Sequence, residues 1–154
     1  QGETLTRVWD LFCGVGGFGL HVVNVLRKKA FLEPELIGIE IAEAAITSAT
    51  AAAKELELKH VTFQALDSAA FAQAAEYAPD LLVVNPPRRG LGQPLCQDIV
   101  RLAPRWIIYS SCNAKTQAAD LQHLLGYRVV KVQLFDFFAH SNHSEVLMLL
   151  QKCV

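Results

Sequence analysis

The fold is decided by the stretch Asp10-Leu11-Phe12-Cys13-Gly14-Val15-Gly16-Gly17-Phe18-Gly19. It follows an apolar run and precedes a helical pattern, so it predicts a strand, a glycine loop and a helix in that order. Glycines let the backbone approach a ligand closely, and the first amides of the helix can face its polar groups. The loop alone fits dinucleotide and S-adenosylmethionine sites equally well.

Acidic residues near this loop favour one of the two cofactors. Glu40 ends the second apolar run, about 20 residues after Gly19, where an acid can hold ribose hydroxyls. A carboxylate at Asp10, just before the loop, suits the ammonium of a methionine moiety and repels a pyrophosphate. Asp67, after the third strand, is predicted either to contact an adenine amine or to cap the next helix. S-adenosylmethionine is therefore the favoured cofactor.

Apolar runs alternate with helical patterns along the chain. The predicted strands are Arg7–Cys13, Leu36–Glu40, Val61–Leu66, Asp80–Val84, Arg105–Tyr109, Arg128–Leu134 and Val146–Leu150. The predicted helices are, approximately, Gly17–Lys28, Ala42–Leu56, Ser68–Glu76, Pro94–Leu102 and Ala114–Leu124. We therefore predict an α/β, Rossmann-like, mostly parallel twisted sheet. No helix separates the last two strands, which predicts a C-terminal hairpin with one antiparallel strand at the sheet edge.

Length and composition suggest one domain over residues 1–154. A hydrophobic content of 52% suits a sheet covered on both faces, and no apolar run approaches the length of a membrane span. Four widely spaced cysteines and no secretory signal predict a cytoplasmic protein. The first strand begins so early that we expect the C-terminal part of a longer enzyme. A formal net charge of −1 is weak for a domain that holds nucleic acid by phosphate contacts alone.

A rigid loop follows the fourth strand, with the sequence Asn85-Pro86-Pro87-Arg88-Arg89-Gly90. The prolines fix φ and remove amides, so the Asn85 side chain is predicted to face the sheet edge where ligands bind. There it could hold a flat base by hydrogen bonding. Arg88 and Arg89 are adjacent candidates for phosphate contacts.

Cys112 is the candidate nucleophile. It ends the fifth strand, in Tyr109-Ser110-Ser111-Cys112-Asn113, beside a predicted helix start whose amides favour a thiolate. The other cysteines, Cys13, Cys96 and Cys153, have no such setting and are interpreted as packing residues.

The segment 135–145 joins the last two strands and mixes aromatic side chains with proton carriers. Glu145 is the candidate general base near the thiol. Phe138 is interpreted as core packing or as an aromatic partner for an unstacked base. His140 and His143 with Glu145 could suggest a metal site, but no further ligand cluster supports it, so no metal is expected.

In five ordered motifs, the sequence resembles the RNA uracil-5-methyltransferase family. The motifs are Asp10–Leu20, Gly38-Ile39-Glu40, Asn85–Gly90, Tyr109–Asn113 and the pattern Phe-x-His-x-x-His-x-Glu that ends at Glu145. Within that family, the resemblance is greatest to bacterial enzymes that act on one uridine of 23S ribosomal RNA. The last motif departs from the family pattern at two positions, where Ala139 stands in place of the usual Pro and Ser141 in place of the usual Thr.

The resemblance implies a class I S-adenosylmethionine-dependent methyltransferase with ribosomal RNA as substrate and no membrane association. It implies that Phe12, Glu40 and Asn85 line the S-adenosylmethionine site, that Cys112 is the nucleophile and that Glu145 is the base. Asp10, Gly14 and Asp67 join the cofactor-binding set from their positions alone. Family members carry an upstream cysteine cluster for an iron-sulfur centre and a Gln-containing segment. Both are expected only in a missing N-terminal part.

Other functions remain open at this point. Methylation of a tRNA uridine uses the same motifs, and cytosine-C5 methylation uses the same thiol chemistry but places a Pro-Cys in a loop, which this middle loop lacks. A nicotinamide-dependent oxidoreductase is allowed by the glycine loop and Glu40 but leaves Cys112 and Asn85 unexplained. A catalytically silent RNA-binding module is a further alternative.

Overall fold

The structure is a computed structural model that describes residues 4–30, 33–136 and 143–154. The described residues form seven strands, β1 (Arg7–Leu11), β2 (Glu35–Glu40), β3 (Val61–Ala65), β4 (Leu81–Val84), β5 (Trp106–Ser111), β6 (Tyr127–Asp136) and β7 (Ser144–Lys152). Within the same ranges lie five helices, α1 (Gly17–Ala30), α2 (Glu43–Glu55), α3 (Ser68–Ala74), α4 (Gln93–Leu102) and α5 (Ala114–Leu121). None of these helices combines the length and the apolar character that a membrane crossing requires.

The strands form one sheet in the order β3-β2-β1-β4-β5-β7-β6. β1 to β5 pair in parallel, and β7 is antiparallel to both β5 and β6. The mostly parallel sheet and the C-terminal hairpin are thus confirmed. The antiparallel strand, however, lies one place inside the edge. Its run Val146–Leu150 is apolar throughout and partly or fully buried, whereas the more polar β6 is exposed along most of its length.

Helices cover both faces of the sheet. α1 and α2 pack on one face through a cluster that includes Leu20, Val23 and Ala53. α3, α4 and α5 lie on the other face, over a larger cluster that includes Trp9 and Tyr109. Because successive strand residues point to opposite faces, β1 and β4 contribute to both clusters and are buried along most of their lengths.

Two strand ends differ from the prediction in ways that shape the carboxyl edge of the sheet. β1 ends at Leu11 rather than Cys13, because Phe12 adopts a left-handed φ of 58° and turns the chain into the glycine loop. β5 continues to Ser111, two residues past the predicted end. Phe12 and Cys112 therefore each follow directly after a strand.

Candidate active site

A cavity of about 570 Å³ opens at the carboxyl edge of the parallel strands. Its lining comes from the ends of β1 to β5 and from the start of β7, and consists of Phe12, Glu40, Ile41, Leu66, Asp67, Ser68, Asn85, Pro86, Pro87, Arg89, Cys112 and Glu145. Six of the eight predicted site residues are in this lining. Asp10 and Gly14, which the structure also describes, lie outside it. Motifs that are far apart in sequence thus meet at one site, at the edge where the parallel-sheet argument places it.

Hydrogen bonds from the Phe12 and Cys13 N–H groups hold Phe12 in its left-handed conformation. Its N–H donates to the Ser68 hydroxyl oxygen at 3.1 Å, and the next N–H, of Cys13, donates to the Ile39 carbonyl at 3.0 Å. Ser68 is buried at the start of α3. A non-glycine residue in this region costs about 1 kcal/mol or more, so these bonds stabilise a turn that directs Phe12 to the cavity. Sequence reasoning missed Ser68, which resembles any helix-start serine.

Glu40 links the end of β2 to the glycine loop. Its Oε2 accepts a hydrogen bond from the Gly14 N–H and its Oε1 accepts one from the Ala42 N–H, both at 3.2 Å. Gly14 has a φ of 53°, and no atom lies within 4 Å of the position that a Cβ would take there. The acid is therefore fixed at the cavity, and the loop leaves open space beside it.

Asp10 is buried behind the loop, with about 1% of its surface exposed. Its Oδ2 accepts a hydrogen bond from the Gly19 N–H at 2.9 Å, and its Oδ1 has no partner among the described residues. Burial raises the pKa of Asp10 to about 7, although the Gly19 bond opposes this shift. A Cβ on Gly19 would lie 2.8 Å from Oδ2, so this glycine is needed for α1 to pack against β1.

Asp67 is a helix cap and also lines the cavity. Its Oδ1 accepts a hydrogen bond from the Ala70 N–H at 2.8 Å, which makes it the N-cap of α3. The same exposed side chain lines the cavity. The helix-cap interpretation is thus confirmed, and the adenine contact stays a prediction.

The Cys112 thiol is exposed at the cavity, between β5 and α5. Asn113 caps α5, since its Oδ1 accepts hydrogen bonds from the N–H groups of Lys115 at 3.1 Å and Thr116 at 3.4 Å. The buried Ser111 hydroxyl oxygen accepts a further bond from the Asn113 N–H at 3.0 Å. The backbone on both sides of the thiol is therefore held in place just ahead of the helix.

The remaining thiols lie in different surroundings. Cys13 and Cys96 are buried, and burial raises the pKa of each to about 12; the charges of Asp10 and Glu40 add to the shift of Cys13, and that of Asp120 adds to the shift of Cys96. The packing interpretation is confirmed for these two. It is wrong for Cys153, which is exposed beyond the end of β7, at the opposite edge of the sheet. Cys112 is the exposed thiol that faces the cavity.

Glu145 reaches the same cavity from β7. Its Oε1 accepts a hydrogen bond from the Ser110 hydroxyl at 2.5 Å, and Ser110 is fully buried in β5. Ser110 lies two residues before Cys112, so β5 carries the hydroxyl that holds the acid and leads directly into the thiol. Ser110 lay within a predicted motif, but its sequence setting gave no indication of this contact.

A buried carboxylate that sequence reasoning missed, Asp120, fixes the loop after β4. Its two oxygens accept hydrogen bonds from the N–H groups of Leu91 at 2.8 Å and Gly92 at 3.0 Å, and Oδ2 accepts a third from the Tyr109 hydroxyl at 2.5 Å. Burial and the neighbouring acid raise the pKa of Tyr109. An acid within a predicted helix usually faces solvent, so the sequence offered no signal for this role.

The same loop is also tied to the cap of α5. The Arg88 carbonyl accepts hydrogen bonds from Asn113 Nδ2 at 3.1 Å and from the Thr116 hydroxyl at 2.9 Å. The middle loop and the thiol loop are thus joined into one wall of the cavity. The Arg88 and Arg89 side chains are both exposed, and Arg89 lines the cavity.

Phe138, Ala139, His140 and Ser141 lie outside the described residues, so the interpretations placed on them are left as predictions. Within the parts of the chain that the structure describes, no three His, Cys, Asp or Glu side chains are grouped so that they could hold a metal ion.

The strand order, the glycine loop after β1, the acid that ends β2 and the Asn-Pro-Pro after β4 together define a Rossmann-like class I methyltransferase fold. The solved structure of Pyrococcus abyssi tRNA (uracil-54, C5)-methyltransferase in complex with S-adenosyl-L-homocysteine has this fold. It matches with a TM-score of 0.80 at 27% identity, over 97% of this chain and 34% of that chain. NSun6 from Pyrococcus horikoshii shares the fold, with a TM-score of 0.76 at 16% identity over 96% of this chain and 48% of that chain.

The chain belongs to the tRNA (uracil-5-)-methyltransferase family, whose model matches residues 2–153. It is 55% identical over 148 residues to a 23S rRNA (uracil(747)-C(5))-methyltransferase RlmC of Salmonella typhimurium, covering 96% of this chain and 38% of that protein. The Salmonella arizonae protein of the same name is 57% identical over 144 residues, or 94% of this chain and 36% of that protein. The chain therefore spans less than two-fifths of the length of these relatives.

Proposed function

We propose that this chain is the catalytic domain of an RNA methyltransferase that transfers a methyl group from S-adenosylmethionine to C5 of a uridine in 23S ribosomal RNA. One observation carries the proposal: an exposed thiol, Cys112, and a carboxylate, Glu145, line one cavity with the predicted donor-site residues. The choice of uridine and ribosomal RNA is supported by relatives named for uracil 747 of 23S rRNA.

The residues present fit a methyl donor at this cavity. Its volume is within the range of about 300–1,000 Å³ typical of small-molecule sites. In this arrangement Phe12 packs against the methyl donor, Glu40 accepts hydrogen bonds from the ribose hydroxyls of the donor, and Asn85 forms a hydrogen bond to a flat nucleobase in the cavity. Asp67 offers Oδ2 to the adenine amine, because its Oδ1 is engaged as a helix cap. S-adenosylmethionine supplies an electrophilic methyl group when it is bound.

The uracil C5 carbon is a poor nucleophile until a second group adds to the ring. The Cys112 thiolate forms a bond to C6, and the displaced electron pair makes C5 nucleophilic enough to take the methyl group. Glu145 then accepts the C5 proton, the C–H electrons restore the double bond between C5 and C6, and the carbon–sulfur bond breaks. Cys112 returns as a thiolate, and the methylated uridine is released.

The proposal extends to parts of the protein outside this chain. An iron-sulfur centre, if the whole protein carries one, belongs there, and no step above uses it. RNA contacts are shared in the same way, because a formal net charge of −1 is weak for a domain that holds nucleic acid by phosphate contacts alone. Arg88 and Arg89, exposed in the loop after β4, are the candidates for phosphate contacts within this chain. A cytoplasmic location follows from a ribosomal RNA substrate.

Loss of the C5 hydrogen tests this function directly. The whole protein is incubated with a 23S rRNA fragment that carries tritium at C5 of uridine, and, in parallel, with one that carries it at C5 of cytidine. We expect tritium release from uridine alone and only when S-adenosylmethionine is present. Release from cytidine would show a cytosine-C5 enzyme, and a requirement for a nicotinamide cofactor instead would contradict methyl transfer.

A further inference from the structure

The Ser110 hydroxyl forms a short hydrogen bond to a cavity acid. The O···O distance from Ser110 Oγ to Glu145 Oε1 is 2.5 Å, at the short end of the range for O–H···O hydrogen bonds. Ser110 is fully buried, while Glu145 is partly exposed at the cavity. A buried hydroxyl needs an acceptor, and this carboxylate is the one that the structure gives it.

The position of Ser110 in the sheet relates the acid to the thiol. β5 and β7 pair with Ser110 opposite Leu147, and Glu145 lies two residues from Leu147 on the same face of the sheet. Ser110 therefore connects the acid of β7 to β5, the strand that Cys112 directly follows. Glu145 Oε1 is taken by the hydroxyl, and among residues 4–30, 33–136 and 143–154 no hydrogen bond to Oε2 is found.

The backbone next to the acid is fixed independently, from the other face. The buried Gln117 side chain donates through Nε2 to the carbonyls of Tyr109 and Val146, both at 3.1 Å. These bonds join β5 to β7 beside Ser110 and Glu145. With the backbone held by Gln117, the remaining freedom is rotation of the Glu145 side chain, and the Ser110 bond is the contact that restricts it.

We propose that Ser110 is the positioning residue of the general base, so that Oε2 of Glu145 is the oxygen that takes the C5 proton. This inference rests on the proposed function. In the step concerned, the C5–H bond breaks, the proton moves to Oε2, and the C–H electrons form the C5=C6 bond as Cys112 sulfur leaves C6. The Ser110 hydroxyl keeps its own proton throughout.

The test separates methyl transfer from resolution of the covalent intermediate. The whole protein, as wild type, Ser110→Ala, Ser110→Thr and Glu145→Gln, is mixed with S-adenosylmethionine and the 23S rRNA fragment, and quenched at successive times. Covalent protein–RNA complex and free methylated RNA are then quantified. We expect Ser110→Ala to slow release of methylated RNA about 10- to 100-fold, with the complex accumulating, because proton transfer by a positioned base typically contributes 10²–10⁴-fold. Ser110→Thr, which keeps the hydroxyl, should recover release to within about threefold of wild type.

Two measurements distinguish this role from a merely structural one. Methyl transfer into the complex and affinity for S-adenosylhomocysteine should change less than about twofold in Ser110→Ala. If Ser110→Ala resolves the complex at the wild-type rate while Glu145→Gln accumulates it, the role of Ser110 is overturned and the proposed function stands. If Ser110→Ala slows every step equally and Ser110→Thr does not recover, Ser110 serves only the fold. If Glu145→Gln releases product normally, the base assignment fails, and the Ser110 inference fails with it.

Discussion

At the scale of single residues, two kinds of polar side chain form this site. Those that face the cavity could be predicted from the sequence, whereas the buried ones that hold them in place could not. Glu40 ends β2, and Asn85 and Cys112 directly follow β4 and β5, so the parallel-sheet argument places all three at the edge where the cavity opens. Ser68, Ser110 and Asp120 act through contacts between distant segments, and periodicity gives no signal for such contacts.

Asp10 makes stability depend on pH. Burial raises its pKa to about 7 from the ordinary value of 3.8, so the folded state binds the proton more tightly than the unfolded chain does. The contribution of this group to stability is therefore complete below about pH 3.8 and is lost as the pH rises through about 7. Between pH 5 and pH 8 we expect it to lower the free energy of unfolding by about 2–3 kcal/mol.

The matched variant is Asp10→Asn, which does not titrate but keeps an oxygen for the Gly19 N–H. Urea unfolding at several pH values should show a flatter pH dependence in the variant, and a higher relative stability at pH 8. Parallel curves for the two proteins over this range would show that Asp10 is not protonated in the folded state.

At the scale of secondary-structure elements, the cavity depends on how α5 holds the loop after β4. The Asp120 carboxylate and the α5 cap bind the backbone of residues 88–92, and Gly90, with a φ of 81°, lies against Asp120. Element types and order could be predicted, because hydrophobic periodicity reports which faces are buried. The placement of β7 inside β6 could not, since a hairpin leaves open which of its strands pairs with β5.

Two glycine substitutions test this contact. Gly90 and Gly126 both have φ near 80°. A Cβ on Gly90 would lie 2.6 Å from Asp120 Oδ2, whereas a Cβ on Gly126 would have no neighbouring atom within 4 Å. Gly126→Ala should lower the free energy of unfolding by about 1–2 kcal/mol, from backbone strain alone. Gly90→Ala should lower the free energy of unfolding by about 1–3 kcal/mol more, because it also displaces the Asp120 carboxylate, and it should reduce methylation. Equal losses in urea unfolding would mean that the loop does not depend on Asp120.

At the scale of the whole molecule, a two-sided α/β sheet brings residues from five sequence motifs to one edge, with Glu145 representing the last motif. The glycine loop, Glu40, Asn85, Cys112 and Glu145 come from different strands, and most of their side chains meet at a single cavity. The fold and the grouping of most of these residues could be predicted because the motifs from β1, β2, β4 and β5 lie at the carboxyl ends of parallel strands, while Glu145 comes from the start of β7. The glycine spacing is only partly explained by a cofactor site, because Gly19 is required for α1 to pack against Asp10.

The central claim is that Cys112 adds covalently to uracil C6, and trapping tests it most directly. A 23S rRNA fragment with 5-fluorouridine at the target position cannot lose a proton from C5, so the adduct should persist after methyl transfer. The whole protein is incubated with this RNA and S-adenosylmethionine, and the modified peptide is identified by mass spectrometry. We expect the adduct on Cys112, its loss in Cys112→Ala and its retention in Cys153→Ala, which removes the other exposed thiol. An adduct on any other residue, or its survival in Cys112→Ala, would contradict the account.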